Sequence, residues 1–204
     1  MTTAAARLVL ATTNQKKLAE LARILADEHT DVKLASLAEF PGAPDVAETG
    51  ATFADNALLK ARAIAAFAGL PTVADDSGLC VDALNGMPGV LSARWSGRHG
   101  DDQANLNLVL AQVADVPDER RGARFTCAAA LVVPGGAEYV REGVVTGQLI
   151  RKPRGSNGFG YDPIFVPDGY EVTTAEMDPG DKDKISHRGR ALRALAPEIR
   201  RSVR

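Results

Sequence analysis

Thr72–Arg94, TVADDSGLCVDALNGMPGVLSAR, is the stretch on which the reading of the fold turns. It opens as a β-branched run, which predicts a strand over Thr72–Asp76, and that run meets two adjacent carboxylates, Asp75 and Asp76. Ser77 and Gly78 follow at once, and Asn85, Gly86, Pro88 and Gly89 then mark a long loop. A strand that stops at acidic residues puts charge at its carboxyl end, where open α/β sheets bind ligands. Successive strand side chains point to opposite faces, so Asp75 and Asp76 cannot both face one cleft. One is a site candidate and the other is structural.

Upstream of this strand the pattern is β-α-β. Arg7–Ala11 is a buried strand, Leu18, Leu21, Ala22 and Leu25 form a helical stripe, and Val32–Leu34 is a second short strand. Ser36–Gly50 is a loop, after which Thr52 and Asp55 resemble a capping box. Phe53, Ala57, Ala61, Ile64 and Ala68 continue as the apolar face of a helix ending at Gly69. Downstream, Asp101–Val113 is helical by its leucine and valine spacing. Ala123–Val133 and Tyr139–Ile150 are long β-rich runs joined by a Pro134-Gly135-Gly136 turn. Asp162–Val166 is a short strand, Pro179–Ile185 a short polar helix, and Gly189–Arg204 a closing helix. No repeat or linker separates independent domains. The expectation is one domain over residues 1–204, a mixed α/β fold with a long, partly antiparallel sheet and its ligand groups gathered in a cleft.

A net charge of −2 gives no general electrostatic reason to bind nucleic acid polymers or anionic membranes, so anion binding must come from local clusters. No apolar run is long enough to span a bilayer. The N-terminal stretch, MTTAAARLVLATTN, lacks a basic start before its short apolar segment and does not read as a secretory signal, so a cytoplasmic location is expected. Cys80 and Cys127 sit in apolar, strand-like surroundings and are read as buried reduced thiols, with a bridge as the alternative.

Four constellations carry chemistry. Thr12, Thr13, Asn14, Gln15, Lys16 and Lys17 lie where the first strand passes into the first helix. Cations in a first turn oppose the helix dipole, which makes sense if an anion sits on the free backbone N–H groups. The alternative is that Thr13 or Asn14 caps the helix and the lysines are solvated. Ser186, His187 and Arg188, with Lys182 and Lys184 just upstream, repeat the pattern before the last helix. Two such termini suggest a ligand with several negative charges. Glu48 and the Asp75-Asp76 pair are the acidic group. Carboxylates beside phosphate-binding cations suit Mg²⁺, whereas no His/Cys spacing supports zinc. Finally, Gly158 and Gly160 flank Phe159 in GFGYDP, which lets its ring approach a planar ligand such as a nucleobase, or equally a tight turn with the ring packed inward. Lys60 lies one turn after Asn56, a spacing that lets both face one groove, the alternative and commoner case being a solvated lysine.

Together these pieces describe a nucleoside triphosphate site with a divalent metal. In this order, TTNQKK, ETGATFADNALLKARA, ADDSGL, FGYDPIF and SHRGRAL resemble the inosine/xanthosine triphosphate pyrophosphatase family from Leu8 to about Leu195. The resemblance implies Mg²⁺-dependent hydrolysis of deaminated purine nucleoside triphosphates (ITP, dITP, XTP) to monophosphate and pyrophosphate. It also implies a homodimer, and an elongated mixed β-sheet with flanking helices forming two lobes around a central nucleotide-binding cleft. By position, Thr12–Lys17 and Lys60 bind the triphosphate, and Asp76 is general base and metal ligand. Ser77 touches substrate, and Phe159, Gly160, Tyr161 and Asp162 form a wall of the base pocket. Lys182, His187 and Arg188 read the base and hold the nucleotide; Arg94 is a further candidate for phosphate contact. Some relatives carry two acidic residues before the Thr-Gly of the ETG motif. Here the first is Ala47, which leaves Glu48 alone for metal or supporting duty.

Two other readings stand beside this one. A house-cleaning pyrophosphatase for other modified nucleotides would share the whole site. A non-catalytic nucleotide sensor would keep the cationic helix starts without needing Asp76 beside a metal, and pyrophosphate release separates it from an enzyme.

Overall fold

The computed structural model describes residues 7–28 and 32–203. The reading of the N-terminal leader falls partly on residues 1–6, which lie outside these, as does Arg204 at the end of the last expected helix. Among the described residues six strands form one sheet: β1 (Arg7–Leu10), β2 (Lys33–Ser36), β3 (Thr72–Val81), β4 (Gly122–Val132), β5 (Glu138–Leu149) and β6 (Phe165–Pro167). Their order across the sheet is β2-β1-β3-β4-β5-β6. β1 pairs in parallel with β2 and β3, whereas β5 and β6 are antiparallel, so the sheet is mixed as expected. The α-helices among the described residues are α1 (Gln15–Asp27), α2 (Phe53–Ala68), α3 (Asp102–Gln112), α4 (Pro179–Ile185) and α5 (His187–Ser202).

The chain divides into two compact units. The first comprises Met1–Asp76, Cys127–Gly143 and Arg188–Arg204, and the second Ser77–Thr126 and Val144–His187. In the first unit, strand alternation sorts side chains into two cores. Leu8, Leu10, Val73, Cys127, Ala129 and Leu131 cluster with Leu21, Ile24 and Leu25 of α1 and Leu192, Leu195 and Ile199 of α5. The intervening Val9, Ala74, Ala128 and Ala130 cluster with Ala57, Ala61, Ile64 and Ala65 of α2. The alanines on this second face let α2 sit close to the strands. α2 itself begins at the expected capping box, Thr52 with Asp55, and ends at Gly69 in the left-handed conformation.

The second unit has its own core. Leu79 and Val81 cluster with Leu106 and Val109 of α3, and with Phe125, Val145, Leu149 and Phe165. Phe125 and Phe165 meet edge-to-face at 4.8 Å. Buried Arg121 donates to the carbonyls of Val113 and Leu149, which ties the end of α3 to β5.

Three expectations are corrected. β3 does not stop at the carboxylates but runs on to Val81, because Leu79 and Val81 are fully buried and keep the strand committed to a core. Asp162–Val166 is a 3-10 turn over Asp162–Ile164 followed by the three-residue β6; Pro163 has no N–H to give a ladder. The last helix starts at His187 rather than Gly189. Cys80 and Cys127 are free and buried, as expected.

Candidate active site

In the first unit everything turns on the two carboxylates of β3. Asp75 shares the face of Val73, toward α1 and α5, and Asp76 shares the face of Ala74, toward α2. Their partners divide accordingly. Asp75 Oδ2 accepts from Arg188 Nε at 3.1 Å and from Lys17 Nζ at 3.3 Å. Arg188 Nη1 donates to Glu20 Oε2 of α1 at 2.6 Å, and both Arg188 and Asp75 are only 1% exposed at their side chains. The result is a buried, charge-alternating network: Glu20, Arg188, Asp75, Lys17.

Asp76 has a different set. Its Oδ2 accepts from Asn56 Nδ2 at 2.9 Å, and its Oδ1 lies 3.7 Å from Lys60 Nζ. Lys60 in turn donates to Glu48 Oε1 at 2.6 Å. Asn56 is fully buried, and its Oδ1 accepts the Gly50 N–H at 2.7 Å. A side chain at Gly50 would come within 2.5 Å of Asp55 Cβ and 2.7 Å of Asn56 Oδ1, so glycine is needed there for contact rather than for backbone freedom. The ETG loop is thereby fastened to the residue that orients Asp76.

The electrostatics of the pair are opposite. Burial would raise the pKa of Asp75, but Lys17, Arg188 and Lys60 outweigh it and hold the carboxyl well below its ordinary range. Burial raises the pKa of Asp76, with Glu48 adding to it and Lys60 and Asn56 opposing, and here burial prevails. Burial alone would lower Lys60, but Asp76, Asp75 and Glu48 together raise it. Asp75 is a fixed anion; Asp76 is the carboxylate with appetite for a proton.

The strand-to-helix turn before α1 is built as a cap. Asn14 Oδ1 accepts the Lys16 and Lys17 N–H groups, Thr12 Oγ1 accepts the Asn14 N–H, and no acidic residue stands in the first turn. Thr13, Asn14, Gln15 and Lys16 are exposed, and Lys17 turns inward to Asp75. Capping and cation placement are therefore both present, and they do not compete.

In the second unit the glycine-flanked loop is tightly built. Asp162, buried, accepts from the Phe159 N–H at 2.8 Å, Lys182 Nζ at 2.6 Å and Thr174 Oγ1 at 2.8 Å. A side chain at Gly158, where φ is +74°, would fall 2.1 Å from Asp162 Oδ2. Lys182 Nζ lies 5.4 Å from the centroid of the half-buried Phe159 ring. Tyr161 is buried and donates through its hydroxyl to Ser92 O at 2.9 Å. Ser77, partly buried, opens this unit, and Arg94 ends a 3-10 turn over Gly89–Arg94.

The structure thus brings Lys60, Glu48 and Asp76 together, sets Lys17 beside Asp75, and separately gathers Phe159, Asp162 and Lys182. It gives His187 and Arg188 different surroundings from those expected for base-reading donors. The His187 ring stacks on Phe125 at 4.9 Å and 12°, and Arg188 belongs to the buried network of Asp75 and Glu20. Glu20 was invisible in the sequence, since a lone acidic residue on an amphipathic helix reads as solvated. The role of Asn56 was half visible, in its spacing from Lys60.

The chain matches the Ham1 family over residues 8–198. The chain belongs to the Ham1 family. It is 63% identical over 195 residues to a dITP/XTP pyrophosphatase of Nocardia farcinica, which covers 95% of each chain. Against the dITP/XTP pyrophosphatase of Streptomyces coelicolor it is 59% identical, over 95% of this chain and 97% of that one. Among solved structures, the nucleoside-triphosphatase / dITP/XTP pyrophosphatase of Mycobacterium abscessus is 60% identical. It superposes with a TM-score of 0.76 over 94% of this chain and 99% of the other. A HAM1 protein from Coxiella burnetii, 43% identical, superposes at 0.84 over 95% and 98%. As a Ham1 family member the chain has the curled mixed α/β sheet of its structural neighbours. Among the described residues no helix is long and apolar enough to cross a membrane.

Proposed function

We propose that this chain is a nucleoside triphosphate pyrophosphatase, hydrolysing the non-canonical purine nucleotides dITP, ITP and XTP to monophosphate and pyrophosphate. The observation that carries this reading is the asymmetry of Asp75 and Asp76. One carboxylate is locked between two cations; its neighbour is held by an amide and a lysine, with its proton affinity raised. Asp76 orients a water and accepts its proton as the oxygen attacks the α-phosphorus. The bond from that phosphorus to the α–β bridging oxygen breaks, and pyrophosphate leaves. Lys17, Lys60 and the exposed Thr12–Lys16 turn receive the phosphate charge.

The donor set fits a divalent metal. Glu48 and Asp76 already flank a single cationic atom, Lys60 Nζ. Among the described residues no group of three or more metal-binding side chains forms a complete cage. One or two carboxylates completed by substrate phosphates is the arrangement Mg²⁺ takes. Asp76 and Glu48 would hold it, and it would supply charge neutralisation at the phosphates.

For the base, Phe159 offers a stacking face and Lys182 a donor. Gly160, Tyr161 and Asp162 shape that loop, and Ser77 touches substrate. A 6-oxo purine presents an acceptor to such a donor, whereas a 6-amino purine leaves two donors opposed, a mismatch of about 1–3 kcal/mol. Arg188 acts through Asp75 and Lys17, and His187 through its packing on Phe125. We further place the chain in the cytoplasm as a homodimer in which residues 1–204 work as one functional domain.

The names of the relatives favour this reading over a sensor or a house-cleaning pyrophosphatase for other modified nucleotides. A substrate panel at fixed Mg²⁺, reading pyrophosphate, tests it. dITP, ITP and XTP should be turned over at least a hundredfold better than dATP and ATP. Binding without pyrophosphate release would establish the sensor instead.

A further inference from the structure

The helix start at Asp101-Asp102 is not explained by the site as described. Asp101 is the N-cap of α3, its Oδ1 accepting the Ala104 N–H at 3.1 Å, so α3 does not need Asp102 as a cap. Asp102 instead reaches out of its helix. Its Oδ2 accepts the N–H of Gly160 at 3.0 Å, inside the loop that carries Phe159. One turn later on the same face, buried Asn105 accepts the Ser96 N–H at 2.7 Å and donates to Ala93 O at 3.2 Å. That second pair of bonds secures the segment bearing Arg94, from which Ser92 O also receives the Tyr161 hydroxyl.

Two consecutive residues of the Phe159 loop are therefore fastened to different supports. Gly160 is tied to Asp102, and Tyr161 to Ser92. Gly160 has φ of +61°, a left-handed conformation that the loop must hold for Phe159 and Tyr161 to diverge. Nothing would occupy the space of a Gly160 side chain within 4 Å, so crowding does not fix this residue. Asp162 holds the Phe159 backbone on one side of it, and the hydrogen bond to Asp102 holds Gly160 itself.

We infer that Asp102 is a positioning residue for base recognition: through Gly160 it holds the Phe159 ring in the orientation that stacks on the purine. This rests on the reading that Phe159 binds the base. A charge-assisted hydrogen bond is worth more than a neutral one, and its loss lets the ring sample orientations that do not stack. The consequence is selective. A ligand with a base should bind less well, and a ligand made only of phosphates should not notice.

The test uses the full chain and two probes, inosine monophosphate and inorganic tripolyphosphate, titrated calorimetrically. Asp102→Ala should weaken inosine monophosphate about tenfold, the scale of one hydrogen bond to a charged group, and leave tripolyphosphate within twofold. Asp102→Asn keeps an acceptor oxygen and should recover most of the affinity. Amide hydrogen exchange in the peptide containing Gly160 should accelerate in Asp102→Ala and stay slow in Asp102→Asn. Unchanged affinity and unchanged exchange in Asp102→Ala would overturn the inference, and so would equal losses for both probes. Phe159→Ala distinguishes the two levels. If it weakens inosine monophosphate while Asp102→Ala does not, only the role of Asp102 falls. If Phe159→Ala has no effect, the placement of the base falls with it.

Discussion

At the scale of single residues, two neighbouring aspartates differ in every property that matters for chemistry. Asp75→Asn keeps the shape but removes the anion between Lys17 and Arg188. Breaking one partner of a buried pair costs about 3–5 kcal/mol, and urea unfolding should show a loss of that size. Asp76→Asn should leave stability within about 1 kcal/mol, since the amide can still meet Asn56, while turnover falls by roughly 10³-fold or more for want of a base. A near-normal kcat in Asp76→Asn would remove it from the mechanism.

The same pair should leave opposite marks on stability against pH. The folded pKa of Asp75 lies below its ordinary 3.8, so its stabilising contribution is complete above that value and is lost as pH falls through the folded pKa. The folded pKa of Asp76 lies above 3.8, so its contribution is complete below that value and is lost as pH rises through the folded pKa. Unfolding free energies of wild type, Asp75→Asn and Asp76→Asn between pH 3 and 7 read this directly. Relative to wild type, Asp75→Asn should show a shallower acid decline. Asp76→Asn should gain on wild type as pH rises from 3.8.

At the scale of elements, loops and helices hold the side chains of the site in place. Gly50 accepts no side chain because Asn56 Oδ1 and Asp55 Cβ stand where a Cβ would go. Gly50→Ala should therefore push Asn56 away from Asp76. Overpacking of this kind costs about 1–3 kcal/mol. The displaced Asn56 should lower kcat by about tenfold or more, because small misplacements near a reacting group are expensive. Steady-state kinetics beside thermal unfolding check it, and an unchanged kcat would separate the ETG loop from Asp76. This is also the scale at which the sequence was most and least readable. The alternation Val73, Ala74, Asp75, Asp76 announced that the carboxylates face opposite ways, because strand geometry leaves no other option. The capping box at Thr52 and Asp55 and the Gly69 stop were equally plain, since each rests on local backbone chemistry. The end of β3 was misread because Ser77 and Gly78 are punctuation in most strands, and only the burial of Leu79 and Val81 keeps this one going. Arg188 and Glu20 were not legible as a pair, being 168 residues apart in the chain. Their link arises from helix packing, which local sequence does not encode.

At the scale of the whole molecule, the chain passes between its two units beside residues named in the proposed site. One crossing lies between Asp76 and Ser77, and another between His187 and Arg188. The groups proposed for phosphate and proton chemistry, Lys17, Lys60, Glu48 and Asp76, belong to the first unit. The aromatic and cationic groups suited to a base, Phe159 and Lys182, reside in the second. The Ham1 family match spans both. The central claim is that water, activated by Asp76, attacks the α-phosphorus of a non-canonical purine nucleoside triphosphate. A single turnover of ITP in H₂¹⁸O, with both products weighed by mass spectrometry, tests that claim most directly. Inosine monophosphate and pyrophosphate should form in equal amounts, with one ¹⁸O in the monophosphate and none in the pyrophosphate. Label in the pyrophosphate, or inosine diphosphate and inorganic phosphate as products, would contradict it.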